Sequence, residues 1–202
     1  MPPSTPRLVL DWDGTATEID GLHMLLEEFG DREVFERMEG VLGDGLTLHE
    51  VIATEFATVR LPVEEAAAWM RRNVTLRDGF AELAAQHAPL IVSSGFHELI
   101  EPVLERDGVD LEVLANRLDP RADGWRPIWR DETVCAVCGE PCKRALLAGA
   151  PYVYVGDGYS DRCAALAAER VFARAGLARW LAHQEVAFEP FEDLRDVLVA
   201  LA

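Results

Sequence analysis

An apolar segment that ends in two acidic residues limits the possible folds of this chain more than any other stretch. Leu8-Val9-Leu10 has the composition of a buried strand, and Asp11-Trp12-Asp13-Gly14-Thr15 follows it directly. Side chains alternate between the two faces of a strand, so Asp11 and Asp13 can share one side while Trp12 faces the other. Open α/β sheets bind their ligands beyond the carboxyl ends of the strands, which is where these two acids are predicted to lie.

The charge of the chain excludes several kinds of partner. Its 202 residues include 36 acidic and 19 basic side chains, for a formal net charge of −17. Nucleic acids and anionic membranes attract basic surfaces, so we expect neither as a partner. A small phosphorylated metabolite is compatible with this charge, because a metal ion and local cations can dominate the field inside a cleft.

The sequence also predicts a cytoplasmic protein. No apolar run approaches the roughly 18 to 20 residues that a membrane-spanning helix requires. Residues 1–7 lack the apolar core of a signal peptide. The chain has four cysteines, three of them clustered, and this pattern does not resemble the disulfide framework of a secreted domain.

Apolar periodicity divides the chain into two kinds of segment. Between residues 18 and 76, apolar side chains recur at three- and four-residue spacing, which predicts four short helices. Elsewhere, strand-like segments alternate with helical ones, the pattern of a parallel sheet with right-handed crossovers. We therefore expect an α/β fold, in which residues 1–17 and 77–202 form a Rossmann-like core with helices on both faces. Residues 18–76 are expected to form an inserted four-helix cap.

Short apolar segments bounded by turn residues indicate where the strands of this sheet lie. In chain order they are residues 7–12, 89–93, 111–115, 152–155, 171–173 and 186–188. The polar residues 116–130, which follow the third of these segments, are predicted to form a hairpin.

One basic residue is set apart by its type. Of the 19 basic residues, 18 are arginine, and Lys143 is the only lysine. A compact ammonium on a flexible stem suits close contact with a phosphoryl oxygen and a carboxylate, which a planar guanidinium does less well. This usage indicates a specific role for Lys143, although a lysine left by chance on a surface helix would give the same count.

Four separated segments carry polar residues suited to one site: Asp11-Trp12-Asp13-Gly14-Thr15, Ser93, Lys143 and Gly156-Asp157-Gly158-Tyr159-Ser160-Asp161. Together they resemble the motifs of the haloacid dehalogenase (HAD) superfamily of phosphohydrolases. The small helical insertion after the first motif is similar to that of the phosphoserine-phosphatase-like subgroup.

A cysteine-rich run points to a branch of this superfamily. Cys135-x-x-Cys138-Gly139-x-x-Cys142-Lys143 resembles the run before the lysine in the methionine-salvage phosphatases that act on 2-hydroxy-3-keto-5-methylthiopentenyl 1-phosphate. It is also similar to the corresponding run in phosphocholine and phosphoethanolamine phosphatases. The resemblance therefore implies hydrolysis of a small phosphorylated metabolite, with a phosphoserine-like substrate as a further possibility.

The resemblance also implies how the reaction is divided among the acids. Asp11 is expected to attack phosphorus and form an aspartyl-phosphate. Asp13 is expected to protonate the leaving oxygen and later to deprotonate the attacking water. A Mg²⁺ cofactor is expected to bind Asp11, the backbone carbonyl of Asp13, and Asp157. Asp161 is expected either as a further ligand or as an acid that supports the ligands from behind.

Three further residues are expected to hold the phosphate group, and one to contact the rest of the substrate. Ser93 and Ser94 are predicted to bind phosphoryl oxygens with the help of nearby backbone N–H groups. Lys143 is predicted to neutralise charge on both Asp11 and the phosphate. Asp20, at the entry to the cap, is the candidate substrate contact.

Other functions share parts of this pattern. A phosphotransferase or mutase would use the same residues but pass the phosphoryl group to a second substrate. A non-catalytic sensor would bind a phosphate ligand without needing a nucleophile or a general acid. The dehalogenases that name the superfamily use an Asp nucleophile but need neither Asp13 nor magnesium.

The cysteines admit a second metal site. Cys135, Cys138 and Cys142 have spacings compatible with zinc, but structural zinc sites usually have four protein ligands. Cys163 is expected to lie elsewhere, on the helix after Asp157, so no certain fourth ligand is identified. We therefore expect reduced structural thiols, with zinc or a redox pair as the alternatives that metal analysis would distinguish.

Overall fold

A computed structural model describes residues 6–147 and 149–202 of the chain. Its strands form one seven-stranded sheet in the order β4-β3-β2-β1-β5-β6-β7. The strands are β1 (Arg7–Leu10), β2 (Leu90–Phe96), β3 (Val113–Asp119), β4 (Arg126–Ile128), β5 (Tyr152–Gly156), β6 (Arg170–Ala173) and β7 (Glu189–Pro190).

The topology of the sheet determines where a ligand can bind. Neighbouring strands are parallel, except that β4 pairs antiparallel with β3. The chain runs outward from β1 through β2 and β3, and then returns to place β5 on the other side of β1. The strand order therefore reverses at β1 and β5, and such a reversal opens a crevice at the carboxyl ends of the two strands.

The helices fall into two groups along the chain. Four lie between residues 18 and 76, and we call them the inserted helices: α1 (Gly21–Phe29), α2 (Arg32–Glu39), α3 (Leu48–Phe56) and α4 (Val63–Asn73). The others lie outside this segment: α5 (Phe80–His87), α6 (His97–Arg106), α7 (Lys143–Leu146), α8 (Arg162–Ala165), α9 (Ala175–His183) and α10 (Leu194–Leu201).

The sheet separates two hydrophobic clusters, and β1 contributes to both. Leu8, Leu10 and Trp12 belong to the larger cluster, which includes residues of α5, α6, α10 and the inserted helices. Val9 belongs to the smaller cluster, which includes residues of α8 and α9. The rings of Trp12 and Phe80 meet edge to face with 6.0 Å between their centroids. Both faces of the sheet are thus covered, and the predicted α/β class is confirmed.

Two of the predicted strand segments have opposite outcomes. The hairpin predicted for residues 116–130 is present, with Arg117 opposite Ile128. The strand predicted at residues 186–188 is wrong, because the strand there is Glu189–Pro190. Instead, the Val186 N–H donates to the Leu181 carbonyl at 3.0 Å and closes the end of α9. The apolar residues of this segment therefore cover a helix end without pairing in the sheet.

None of the helices in the described part of the chain combines the length and the apolar character needed to cross a bilayer.

Candidate active site

The turn after β1 is held by two arginines from distant parts of the chain. Buried Arg77 donates to the carbonyls of Thr15, Gly14 and Thr17, each at 2.8 Å. Arg174 donates to the Gly14 carbonyl at 2.9 Å. These bonds satisfy backbone oxygens that the turn leaves without partners and fix the direction of the acids on either side. Nothing in the local sequence singles out Arg77 among so many arginines.

A close approach explains the glycine in this turn. Gly14 has a φ of +74°, and a Cβ atom there would lie 2.5 Å from Oδ2 of Asp157. Thr15 Oγ1 donates to the other oxygen of Asp157 at 3.0 Å. Only a residue without a side chain lets Asp157, which follows β5, lie directly against the turn that follows β1.

Lys143 lies behind Asp11 and forms ion pairs with two acids. Its ammonium donates to Oδ1 of Asp11 through a short contact and to Oδ1 of Asp161 at 2.7 Å. All three side chains are almost fully buried. Burial alone would lower the pKa of Lys143, but the charges of Asp11 and Asp161 outweigh it and raise the pKa. Lys143 is therefore a permanent cation beside Asp11.

Asp161 has its oxygens occupied by hydrogen bonds. Oδ1 accepts from Lys143 and from the Tyr154 hydroxyl at 2.6 Å, and Oδ2 accepts from the N–H groups of Asp157 and Gly158, both at 2.9 Å. A carboxylate with four donors has little capacity left for a metal ion. Its geometry fits a role in orienting Lys143 and the turn of Asp157.

Burial and the charge of Asp161 raise the pKa of both Asp11 and Asp157. One oxygen each from Asp11, Asp157 and Asp161 lies within 4.8 Å of the others. Burial, followed by the charge of Asp161, holds the pKa of Asp11 well above its ordinary value. The same two causes raise the pKa of Asp157 to about 6. A divalent cation would relieve this repulsion, and carboxylate oxygens are the ligands that Mg²⁺ prefers, so Asp11 and Asp157 fit a magnesium ion.

Asp13, two residues after Asp11, faces the same cleft as Asp11 and Asp157. Its Oδ1 accepts from the Gly21 N–H at 3.1 Å, and its Oδ2 accepts from Ser93 Oγ at 3.4 Å. Ser93 is buried and accepts in turn from the Gly95 N–H at 2.8 Å. Burial, followed by the charge of Asp20, raises the pKa of Asp13 well above its ordinary value. Asp13 can therefore carry a proton at a pH where an exposed aspartate would not.

A cavity of about 460 Å³ lies between these residues and the inserted helices. The sequence-predicted residues on its wall are Asp11, Asp13, Asp20, Ser93, Ser94 and Asp157. Lys143 and Asp161 do not line this cavity. They contact Asp11 and Asp157, which do. Asp20 accepts from the His23 N–H at 2.9 Å, so it also caps the first turn of α1.

The cavity wall also includes a buried acidic side chain, Glu55, that was not predicted from the sequence. Glu55 lies on α3 with 4 % of its surface exposed, and its Oε1 has no hydrogen-bond partner among the described residues. Burial, followed by the charges of Glu39 and Asp20, raises its pKa to about 8. Its position in an amphipathic helix resembles that of an ordinary surface glutamate, and only the packing of α3 against the core turns it inward.

The prediction that Cys163 lies apart from the other cysteines is wrong. The sulfur atoms of Cys135, Cys138, Cys142 and Cys163 lie within 4.8 Å of one another. Helix α8 begins one residue after Asp161 and returns Cys163 toward the loop before α7. The 20 residues between Cys142 and Cys163 include a complete strand, so sequence spacing could not reveal this proximity.

Comparison with known proteins identifies relatives of the whole chain. The family model for haloacid dehalogenase-like hydrolases matches residues 8–166. The chain is similar to 2-hydroxy-3-keto-5-methylthiopentenyl-1-phosphate phosphatase of Exiguobacterium sibiricum, with 28 % identity over 96 % of this chain and 95 % of that protein. It is also similar to a polyol phosphate phosphatase of Saccharomyces cerevisiae, with 26 % identity over 95 % and 90 % of the two chains.

Solved structures share the fold. A phosphoserine phosphatase, determined as an analogue of its phospho-aspartyl intermediate, superposes with a TM-score of 0.69 at 21 % identity, covering 98 % of this chain and 99 % of that one. The phosphoserine phosphatase from T. onnurineus superposes with a TM-score of 0.68 at 17 % identity, covering 98 % and 94 %. From the family match and these relatives, the chain belongs to the haloacid dehalogenase-like hydrolases, and the prediction of a phosphatase of this family is confirmed.

Proposed function

We propose that this chain hydrolyses a phosphomonoester through an aspartyl-phosphate on Asp11 and that it depends on magnesium. The observation that supports this most strongly is the convergence of Asp11, Lys143 and Asp157 from three separate segments. Each of the three has a distinct task in phosphoryl transfer, where catalysis is mostly positioning and neutralisation of charge.

In the first half of the reaction, an oxygen of Asp11 attacks phosphorus and the bond from phosphorus to the leaving oxygen breaks. Asp13, protonated in its buried environment, gives its proton to that oxygen. In the second half, water attacks the phosphoryl group, Asp13 takes a proton from the water, and the bond from phosphorus to Asp11 breaks. Inorganic phosphate leaves, and both acids return to their starting state.

Two groups of residues hold the phosphate and its counter-charge. Ser93 and Ser94 bind phosphoryl oxygens beside Asp13, while Lys143 neutralises Asp11 as the dianion approaches. Asp11, Asp157 and the backbone carbonyl of Asp13 would hold Mg²⁺. When bound, this ion would offset the negative charge on the phosphoryl oxygens.

We assign residues 18–76 to a cap and residues 1–17 and 77–202 to the catalytic core. The cavity between them is bounded on one side by the motif residues and on the other by the inserted helices, which supports this division. A cap over the phosphate site keeps water out while Asp11 reacts. Asp20 and Glu55 lie on the cap side and are the residues we expect to contact the rest of the substrate.

The first candidate substrate is 2-hydroxy-3-keto-5-methylthiopentenyl 1-phosphate, on which the Exiguobacterium relative acts. Its thioether tail needs an apolar wall, and the cap side of the cavity supplies one from α1 and α3, including Leu26, Ile52 and Phe56. A buried, protonated Glu55 could donate a hydrogen bond to the carbonyl or hydroxyl oxygens of such a substrate.

A second candidate, phosphoethanolamine or phosphocholine, is favoured by the charge of the same wall. Asp20, Glu39 and Glu55 all line the cavity. A cationic head group would pair with these acids and would ionise Glu55. The two candidates therefore differ in the charge that they require on Glu55.

We place the enzyme in the cytoplasm, acting on a small metabolite. None of the four cysteines is in a disulfide bond, which is typical of proteins in a reducing compartment. The net charge of −17 disfavours nucleic acid and anionic membranes as partners.

The test measures release of inorganic phosphate from a panel that includes both candidates, phosphoserine and polyol phosphates, with Mg²⁺ and with EDTA. Asp11→Asn should abolish release from every substrate while circular dichroism stays unchanged. Asp44→Asn, the same change at an exposed position, should keep the wild-type rate. Phosphate release without an added acceptor excludes a strict phosphotransferase, and turnover retained by Asp11→Asn would contradict the mechanism.

A further inference from the structure

The cysteines of this chain gather at one place. All four lie in a single cluster, and their sulfur atoms are within 4.8 Å of one another. The Cys135 and Cys163 sulfurs are 3.8 Å apart. This separation is far beyond the roughly 2.05 Å of a disulfide bond. It equals the distance of about 3.8 Å between two ligands of a tetrahedral zinc site whose Zn–S bonds are about 2.3 Å.

The backbone of the loop before α7 directs its cysteine sulfurs toward one another. Gly139, at a φ of +78°, follows the Cys-x-x-Cys segment, and its N–H donates to the Cys135 carbonyl at 2.9 Å. The Val137 N–H donates to the Cys135 sulfur at 3.5 Å. An N–H directed at sulfur stabilises the thiolate form, which is the form that binds metal. The spacing from Cys135 to Cys138 is one that zinc-binding loops use.

We propose that Cys135, Cys138, Cys142 and Cys163 bind one Zn²⁺ ion in a tetrahedral site. Zinc replaces the protons of those thiols that are still protonated, and these protons pass to solvent, so that no oxidant or reductant is needed. The site is separate from the magnesium ligands in its chemistry, because thiolates select zinc whereas carboxylates select magnesium.

The loop that carries three of these cysteines has no regular secondary structure of its own. Residues 129–142, all of them described, contain no helix or strand. Loops of this length without secondary structure are uncommon in compact domains. A bound zinc ion contributes folding free energy directly and would fix this loop against α8.

The position of the cluster gives the zinc ion a second consequence. Cys142 directly precedes Lys143, and Cys163 comes two residues after Asp161. Lys143 and Asp161 form an ion pair across the same two segments. A zinc ion that joins Cys142 to Cys163 would hold the two segments at a fixed separation, so the four cysteines act as positioning residues for Lys143.

The first test is the metal content of protein purified without a metal-affinity step and dialysed against metal-free buffer, which removes loosely bound magnesium. We expect one zinc per chain by plasma mass spectrometry. Cys138→Ser should reduce the zinc content at least tenfold, whereas Val137→Ser, at the exposed neighbouring position, should retain it. Absence of zinc from the wild type, iron in its place, or zinc retained in Cys138→Ser would overturn the assignment.

The second test identifies the ligands without relying on enzyme activity. Zinc is displaced with a mercurial reagent, the reagent is removed with excess thiol, and Co²⁺ is added. Four thiolates should give the intense visible absorption and the sulfur-to-cobalt charge-transfer band of tetrahedral cobalt. Weak octahedral cobalt absorption, or a disulfide found by mass spectrometry in the native protein, would contradict the site. Neither measurement depends on the phosphatase reaction, so failure here would leave the proposed function intact.

Discussion

The ammonium of Lys143 lies 2.7 Å from Oδ1 of Asp161, and both side chains are buried. Asp161 also accepts from the Tyr154 hydroxyl and from two backbone N–H groups, which fixes its carboxylate. The carboxylate in turn directs Lys143 at Asp11. The orientation of the one lysine in the chain is therefore set by an acid that does not itself line the cavity.

Replacement of Lys143 by arginine tests whether this pocket needs an ammonium. A guanidinium is larger and planar, so it cannot occupy the space between Asp11 and Asp161 without displacing one of them. We expect kcat for an aryl phosphate to fall about 100-fold or more, the loss typical when one charge-stabilising contact is removed. Steady-state kinetics measure this, with the exposed Arg32→Lys as a control that should keep the wild-type kcat. Equal turnover in Lys143→Arg would show that any cation is sufficient.

Gly14→Ala tests the close approach of the turn to Asp157. The new Cβ would lie 2.5 Å from the Asp157 carboxylate at a φ of +74°. Gly108→Ala is a matched control, because Gly108 has a φ of +67° and no atom within 4 Å of the added Cβ. Both variants should lose about 1 kcal/mol of unfolding free energy from backbone strain. Only Gly14→Ala should also lose kcat, and equal kinetics in the two variants would contradict the predicted displacement of Asp157.

Glu55→Gln tests the pH dependence of stability. Burial raises the pKa of Glu55 from its ordinary value of 4.5 to about 8 in the folded state, so between these values the folded chain binds more protons than the unfolded one. The contribution of the neutral carboxyl to the free energy of unfolding is fully present below about pH 4.5 and is lost as the pH rises to about 8.

Urea unfolding between pH 5 and 8.5 measures this contribution. The stability of the wild type should fall relative to Glu55→Gln by a few kcal/mol, to order of magnitude, as the pH rises. The exposed Glu27→Gln should follow the wild-type profile throughout. Parallel profiles for Glu55→Gln and the wild type would show that Glu55 ionises normally.

Asp157→Asn tests the assignment of the magnesium ligands. An amide oxygen is a weaker ligand for Mg²⁺ than a carboxylate, so the Mg²⁺ concentration for half-maximal activity should rise at least tenfold. Activity at saturating Mg²⁺ should recover in part, and isothermal calorimetry of the free enzyme should show the same loss of affinity. An unchanged magnesium requirement would place the ion elsewhere.

Most of the site residues that the sequence predicted share one property. Asp11, Asp13 and Asp157 each follow a strand, and Ser93 lies in β2 beyond its last pair with β1, Ile91 with Leu10, so a parallel sheet brings them to one edge whatever the details of packing. The alternation of apolar segments was enough to predict that sheet. Glu55, Arg77 and Cys163 have no such link to strand order, and their positions depend on how helices and loops pack. The strand prediction at residues 186–188 was wrong for the same reason. Apolar residues that cover a helix end and apolar residues buried in a strand have the same composition.

Arg77 has a consequence for the synthesis of the enzyme. The guanidinium that closes the turn after β1 also donates to the carbonyl of Glu192 at 3.2 Å. While the polypeptide is being synthesised, Arg77 therefore lacks this hydrogen bond until residue 192 has left the ribosome. A chain that has not yet released residue 192 would therefore hold this turn with one hydrogen bond fewer than the folded protein does.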